Sequence, residues 1–195
     1  ASGVESNWLD ARTVLTVEPG EGTVSVDWER SQTETDAWLN DLKANWVVIT
    51  GFVASTPEGI PTTLKRNGSD FSASIFGKLL KAGSITIWTD VDGVLSADPR
   101  LVPEAVVLED VSYQEATELA YFGAKVVHPS TMAPAIEDKI PIWIRNTFNP
   151  SQPGTRIGET SGSRRTVKGF ATVDGMALVN VEGTGMIGVP GVANR

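Results

Sequence analysis

The sequence predicts an α/β fold, with helices layered on a largely parallel sheet. Three apolar runs carry this expectation: residues 46–51 (WVVITG), 85–88 (ITIW) and 140–145 (IPIWIR). Each is short, continuous and rich in β-branched or aromatic residues, the pattern of strands covered on both faces. Helical patterns separate the runs, and alternation of strand and helix builds crossover-connected sheets. With 195 residues, 41% of them hydrophobic and 21% charged, the chain has the size and composition to enclose a core.

Taken in order, residues 13–17 (TVLTV) read as a strand and 18–22 (EPGEG) as an acidic turn-rich loop. Residues 36–43 read as a short helix with Trp38, Leu39 and Leu42 on one face. The buried strand 46–51 follows, then a loop over 61–70 in which Ser69 or Asp70 caps a helix running to about residue 82. After strand 85–88, Ser112-Tyr113-Gln114-Glu115 has the form of a capping box. It opens a helix through Ala124 that buries Ala116, Leu119 and Ala120. Residues 134–138 are a short helical piece before strand 140–145, and the Pro/Gly/Ser-rich stretch 149–166 reads as a linker. Residues 176–182 (MALVNVE) start a further strand, and both chain ends read as cut. Trp8, Trp28, Trp38, Trp46, Trp88 and Trp143 are expected as core or half-buried anchors.

Composition excludes several functions. No apolar run approaches the ~18 residues of a membrane-spanning helix, and no signal peptide is visible. The chain has no Cys and one His, which removes disulfide scaffolds and thiolate chemistry. The net charge of -8 argues against nucleic acid. That charge is uneven: residues 1–60 carry ten acids against three bases, whereas 61–165 carry twelve against eleven. The middle of the chain is the part suited to an anionic ligand.

Five segments bear on chemistry. Lys65-Arg66-Asn67-Gly68-Ser69-Asp70 leads into a helix whose N-terminal amides suit a phosphate or carboxylate, with Arg66 able to grip a carboxylate in a fork; a solvated turn with a simple cap fits the same string. Asp90 and Asp92 follow strand 85–88, where α/β sheets place nucleotides and their Mg²⁺, although Asp-Gly also marks plain turns. Arg100, held in Asp98-Pro99-Arg100, can meet phosphate. Lys125 ends a helix, where it suits the dipole without any catalytic role, and His128 before Pro129 reads as a structural hydrogen-bonding residue. Residues 183–188 match G-x-G-x-x-G, but Pro190 falls where a nucleotide-binding helix would run.

Read together, residues 50–52 (TGF), 61–73 (PTTLKRNGSDFSA), 87–94 (IWTDVDGV), 97–100 (ADPR), 121–126 (YFGAKV), 128–129 (HP), 145–150 (RNTFNP) and 153–155 (PGT) resemble the aspartokinases of the amino-acid kinase fold. The strings occur in the family's order over most of 45–157. The variant LKRNGSDFS and the tail 167–172 (VKGFAT) with 178–186 (LVNVEGTGM) are similar to the bifunctional aspartokinase–homoserine dehydrogenases, as, less specifically, is 8–12 (WLDAR).

The resemblance implies a carbamate-kinase-like three-layer sandwich, present as its C-terminal portion in residues 1–157, a linker over 158–166 and the start of an α+β regulatory ACT domain over 167–195. It implies phosphoryl transfer from MgATP to the side-chain carboxylate of L-aspartate, giving 4-phospho-L-aspartate, the first step toward lysine, threonine and methionine. By position, Arg66, Ser69 and Asp70 would hold aspartate, and Thr89, Asp90, Arg100, Lys125 and Val126 would contact ATP. Asp70 and Lys125 are the catalytic candidates; ATP and Mg²⁺ are implied, and no residue is assigned as a metal ligand. An amino-acid effector, threonine, acting through the ACT region, and a homo-oligomer are the implied partners, without nucleic acid or membrane. The compartment would be the bacterial cytoplasm or the plastid stroma of a plant or alga. The pattern departs at Leu95, where many members carry Tyr, and the family's Lys-Phe-Gly-Gly loop and Ser-Gly-Glu string do not occur. The chain alone is therefore expected to be weakly active or inactive. A non-catalytic regulatory or oligomerisation piece binding a small effector is the alternative.

Overall fold

The computed structural model describes residues 3–20, 24–121, 128–163, 166–172 and 175. The α/β expectation holds. The chain opens with β1 (Asn7–Leu9), a 3-10 turn at Ala11–Thr13, β2 (Val17–Pro19) and β3 (Val24–Val26). The strand expected over 13–17 is displaced, because the Asp10 carboxylate accepts from the Arg12 N–H and coils residues 11–13. Thr16 keeps only a bridge to Ser55, while Glu18 and Pro19, expected in a loop, pair antiparallel with β3.

Helix α1 (Trp28–Asn40) starts well before the helix expected over 36–43. Asp27 caps it, accepting from the Arg30 N–H at 3.0 Å. Its early turns bury Ser31 and Thr35, so the buried face is polar and leaves no apolar period to read. Strand β4 (Val47–Ile49) pairs parallel with β1, as its sequence suggests, but it is not buried on both faces. Trp46 is 65% exposed, and Trp8 stands opposite the exposed Val48. Trp88 is also exposed, and Trp28, Trp38 and Trp143 are half-buried, so none of the six tryptophans lies fully in the core.

A hairpin of β5 (Val53–Ser55) and β6 (Pro61–Thr63) leads to α2 (Gly68–Leu79) and β7 (Ile85–Thr89). Beyond them come β8 (Asp110–Ser112), α3 (Tyr113–Tyr121), α4 (Pro129–Glu137), β9 (Ile142–Asn146) and β10 (Thr155–Gly158). The main sheet runs β7-β9-β10-β8, with β7 parallel to β9, and β10 antiparallel to β9 and parallel to β8. Residues 155–158 are therefore an interior strand, not part of a linker. Thr155 and Ile157 are buried there, so a Gly/Pro-rich sequence context concealed a core element. The capping box forms as expected: Ser112 N–H donates to Glu115, and Glu115 N–H donates to the Ser112 hydroxyl. Ala116 is buried, but Leu119 and Ala120 are only half-buried. Helix α4 extends the piece expected over 134–138 back to Pro129. His128 caps it, its Nδ1 accepting from Ser130 N–H.

Two cores result. One gathers Leu9, Leu15, Val17, Ile75, Phe76 and Leu79; the other gathers Ile85, Val111, Met132, Ile142, Ile144 and Ile157. Helix α2 lies between them, giving Ile75, Phe76 and Leu79 to the first and Ala73 to the second. Gly77 permits its contact with β7, since a Cβ there would sit 2.5 Å from Ile85 Cδ1. Strand 176–182 and the glycine string 183–188 lie outside the described residues.

Candidate active site

A helix that turns directly into the strand it packs on must run antiparallel to it. The N-terminus of α2 and the carboxyl end of β7 therefore lie at the same end of the sheet, the end at which parallel α/β sheets receive ligands. Arg66, Ser69 and Asp70 belong to the first position, and Thr89 and Asp90 to the second.

The start of α2 is not capped as expected. Neither Ser69 nor Asp70 flanks the helix; Asn67 does, in a left-handed conformation (φ 55°) and without a side-chain bond to the helix amides. Phe52 (φ 72°) and Lys65 (φ 63°) share that left-handed region, where side chains with a Cβ are strained. What holds them is specific. The Ser72 hydroxyl accepts from Phe52 N–H at 2.8 Å and donates to the Gly68 carbonyl at 2.8 Å, and Leu64 N–H donates to the Phe52 carbonyl at 2.9 Å. Gly68 fits because a Cβ there would lie 2.4 Å from the Phe52 ring. The first turn of α2 thus presents amides without a side-chain cap beside the exposed Arg66 and Ser69. Asp70 is half-buried, and burial raises its carboxyl above the usual aspartate range.

At the end of β7, the Thr89 hydroxyl donates to Asp90 Oδ1 at 3.1 Å, and the Asp90 carboxylate is exposed. Thr147 N–H donates to the Thr89 carbonyl at 2.8 Å, extending the β7–β9 ladder past its last pair. The loop then passes Asp92, which is held by Asn146 and Asn149, and reaches Val94, whose N–H donates to the Thr155 hydroxyl at 2.8 Å. Leu95, where the family pattern often has Tyr, bridges to Val107. Further on, Arg100 grips Asp98 through Nε at 3.0 and 3.1 Å, while Asp98 also accepts from the Arg100 N–H at 2.9 Å. The guanidinium is thereby oriented by a neighbour on its own loop. Lys125 and Val126 lie outside the described residues.

The expected set misses three contacts that the fold creates. The Asp92 clamp joins residues 54 and 57 positions apart, and no local string announces it. Lys168 donates to Glu115 at 2.7 Å and to Ser161. Phe170 N–H donates to the Ser96 carbonyl at 2.7 Å. Glu115 is held below the usual glutamate range: burial opposes this, and the bonds from Lys168 and Ser112 outweigh it.

The amino acid kinase family profile matches residues 1–146, and the chain belongs to that family. Over 199 residues it is 56% identical to the chloroplastic bifunctional aspartokinase/homoserine dehydrogenase 1 of Zea mays, covering 99% of this chain and 22% of that protein. It is 44% identical over 196 residues to the bifunctional enzyme of Haemophilus influenzae, covering 100% of this chain and 24% of that protein. The chain thus spans between a fifth and a quarter of these relatives' length. Among solved structures, E. coli aspartokinase III in complex with aspartate and ADP matches at 34% identity and a TM-score of 0.72, over 80% of this chain and 35% of that one. The aspartate kinase of Clostridium acetobutylicum matches at 34% identity and a TM-score of 0.75, over 85% and 37%. The resemblance drawn from the motifs, to aspartokinases and to their bifunctional type, is borne out.

Proposed function

We propose that this chain is the nucleotide-binding portion of an aspartate kinase, within a longer bifunctional aspartokinase–homoserine dehydrogenase. The observation that carries the reading is the shared end of the sheet, where uncapped α2 amides with Arg66 and Ser69 stand at the side reached by Thr89 and Asp90. One position suits the carboxylates of L-aspartate and the other a nucleotide. Transfer of a phosphoryl group to a carboxylate needs in-line placement and positive charge around the spreading negative charge. Arg66 and the α2 amides would fix the acceptor, with Asp70 beside them. Arg100 is already aimed by Asp98, and with Lys125 it would meet the phosphates. Among the described residues, no three Asp, Glu or His side chains gather into a metal cage. Among those residues Mg²⁺ would thus be carried by the phosphates, with the exposed Asp90 as a carboxylate placed to meet it. That ion would neutralise charge on the transferred group.

Residues 158–166 as linker and 167–195 as the start of a regulatory ACT domain complete the reading, with an amino-acid effector such as threonine and a homo-oligomeric assembly. The solved lysine-and-aspartate complex of E. coli aspartokinase III is consistent with effector control of this kind. The plant relatives are named chloroplastic, which favours the plastid stroma. Among the described residues no helix is long and apolar enough to cross a membrane. Calorimetric titration with MgATP tests the core of the proposal. Binding that weakens about tenfold in Asp90→Ala, equivalent to ~1.4 kcal/mol, supports it. No affinity in the unaltered chain overturns it in favour of a non-catalytic regulatory piece.

A further inference from the structure

The loop after β7 contains a carboxylate that the proposed chemistry does not use. Asp92 is half-buried, and its Oδ1 accepts from Asn146 Nδ2 at 2.8 Å and from Asn149 Nδ2 at 3.2 Å. Both amides are themselves oriented. Asn146 Oδ1 accepts from Phe148 N–H at 2.9 Å, and Asn149 Oδ1 accepts from the Ser151 hydroxyl at 3.1 Å. With each amide oxygen engaged elsewhere, the two nitrogens are left to face Asp92.

The geometry points to Asp92 as a positioning residue: clamped by Asn146 and Asn149, it fixes the Thr89–Asp90 corner against the carboxyl end of β9. This rests on the reading of that corner as a nucleotide site. The sequence alone allows Asp92 as a ligand for Mg²⁺. In the clamp its Oδ1 is taken by two N–H donors, whose positive ends make that oxygen a poor seat for a cation, and a role as acceptor accounts for the geometry without a metal. Among the described residues, the loop's other backbone ties are at its ends, at the Thr89 carbonyl and the Val94 N–H. Gly93 lies between them at φ 144°, a conformation that L side chains rarely adopt. Asp92 is thus the side chain that holds the intervening turn to β9.

The role of Asp92 as acceptor, rather than as charge, is what the test separates. In the 195-residue chain, Asp92→Asn keeps a carbonyl oxygen that can take both amide bonds, whereas Asp92→Ala and Asn146→Leu remove the clamp. Two readouts are used: amide hydrogen exchange over residues 90–93 without nucleotide, and calorimetric affinity for MgATP. Asp92→Ala and Asn146→Leu are expected to speed exchange about tenfold, by local opening, and to weaken MgATP by a similar factor. Asp92→Asn is expected to stay within about threefold of the unaltered chain in both readouts. Affinity lost in Asp92→Asn as fully as in Asp92→Ala would overturn the inference in favour of a metal-binding charge. Unchanged exchange in Asp92→Ala would overturn it as well. Should Asp92→Ala fail to fold, Asn149→Ala, which removes only the longer bond, is compared with Asp92→Asn in its place, and unchanged exchange in Asn149→Ala then counts against the clamp. If the unaltered chain binds no MgATP, the functional reading falls, while the exchange experiment still decides the clamp.

Discussion

Thr155→Val tests how the nucleotide-side loop is anchored to the sheet. Thr155 is 0% exposed; its hydroxyl accepts from Val94 N–H at 2.8 Å and donates to the Leu108 carbonyl at 2.6 Å. Leu108 N–H donates to the Val94 carbonyl at 2.8 Å, so residues 94 and 108 exchange one direct bond, and the Thr155 hydroxyl stands in for the second. Valine keeps the shape and removes both polar links. Its methyl group occupies the place of the hydroxyl, so residues 94 and 108 cannot close on each other. Each stranded buried group costs about 1–3 kcal/mol. The added apolar contact returns about 0.8 kcal/mol, leaving a net loss of roughly 1–5 kcal/mol. Thr155→Ser keeps both bonds and loses one methyl, about 1 kcal/mol. With a urea slope near 2 kcal/mol/M, Thr155→Val should lower the unfolding midpoint by about 0.5–2.5 M, more than Thr155→Ser. A Thr155→Val midpoint equal to that of Thr155→Ser would show that the ladder closes without the hydroxyl, and the argument would fail.

Other substitutions probe separate features. Gly154 has φ 79°, and a Cβ there would lie 2.0 Å from the Ile144 carbonyl oxygen; Gly154→Ala should lose roughly 2–5 kcal/mol and show a clearly lower Tm in thermal unfolding. Glu115 is held low by Lys168 and Ser112 against the effect of burial, so its contribution is complete above the usual glutamate range and lost as pH falls through its depressed value. Glu115→Gln should therefore destabilise at neutral pH by about 1 kcal/mol and converge with the unaltered chain in acid, as followed by urea unfolding across pH. Burial raises the Asp70 carboxyl, so the folded chain holds that proton more tightly and loses stability as pH rises through the raised value. Asp70→Asn should thus unfold at a higher temperature at neutral pH, with the gain vanishing in acid; a lower Tm at neutral pH would show that the Asp70 charge is compensated.

How far the molecule can be read from its sequence follows the range of each interaction. Strands β4, β7 and β9 are visible because each carries a continuous apolar run, although the core encloses only part of it: Ile142 and Ile144 are buried, whereas Val48 and Trp88 are exposed. Helix α1 is half hidden because Ser31 and Thr35 occupy its buried face; Ser31 Oγ accepts from Thr16 N–H at 3.1 Å, a partner no local pattern supplies. Strand β10 is hidden by its Pro/Gly/Ser-rich surroundings, although Thr155 and Ile157 are fully enclosed. At the site, the Arg66–Asp70 string gives the position of the helix start, but it cannot show that Asn67 would turn left-handed and leave the helix without a side-chain cap. The clamp on Asp92 depends on how β7 and β9 align, and that register is a property of the whole sheet.

The segment proposed to open a regulatory domain lies against the proposed nucleotide corner. The segment around residues 166–170 touches the body at two elements. Lys168 reaches Glu115 at the start of α3, and Phe170 N–H reaches the Ser96 carbonyl. Ser96 lies two residues beyond Val94, and Ser96 N–H pairs with the Val106 carbonyl at 2.8 Å, in the same ladder that Thr155 completes. Gly169 lets the segment approach this closely, since a Cβ there would sit 3.0 Å from the Ser96 carbonyl oxygen. A shift of the segment must therefore break the Ser96 contact or drag the ladder that ends at Val94. It must equally leave Lys168 and Glu115 apart or pull on the first turn of α3. Coupling of this kind needs no long chain of contacts, because the proposed regulatory segment and the proposed nucleotide corner share the loop from Thr89 to Ser96.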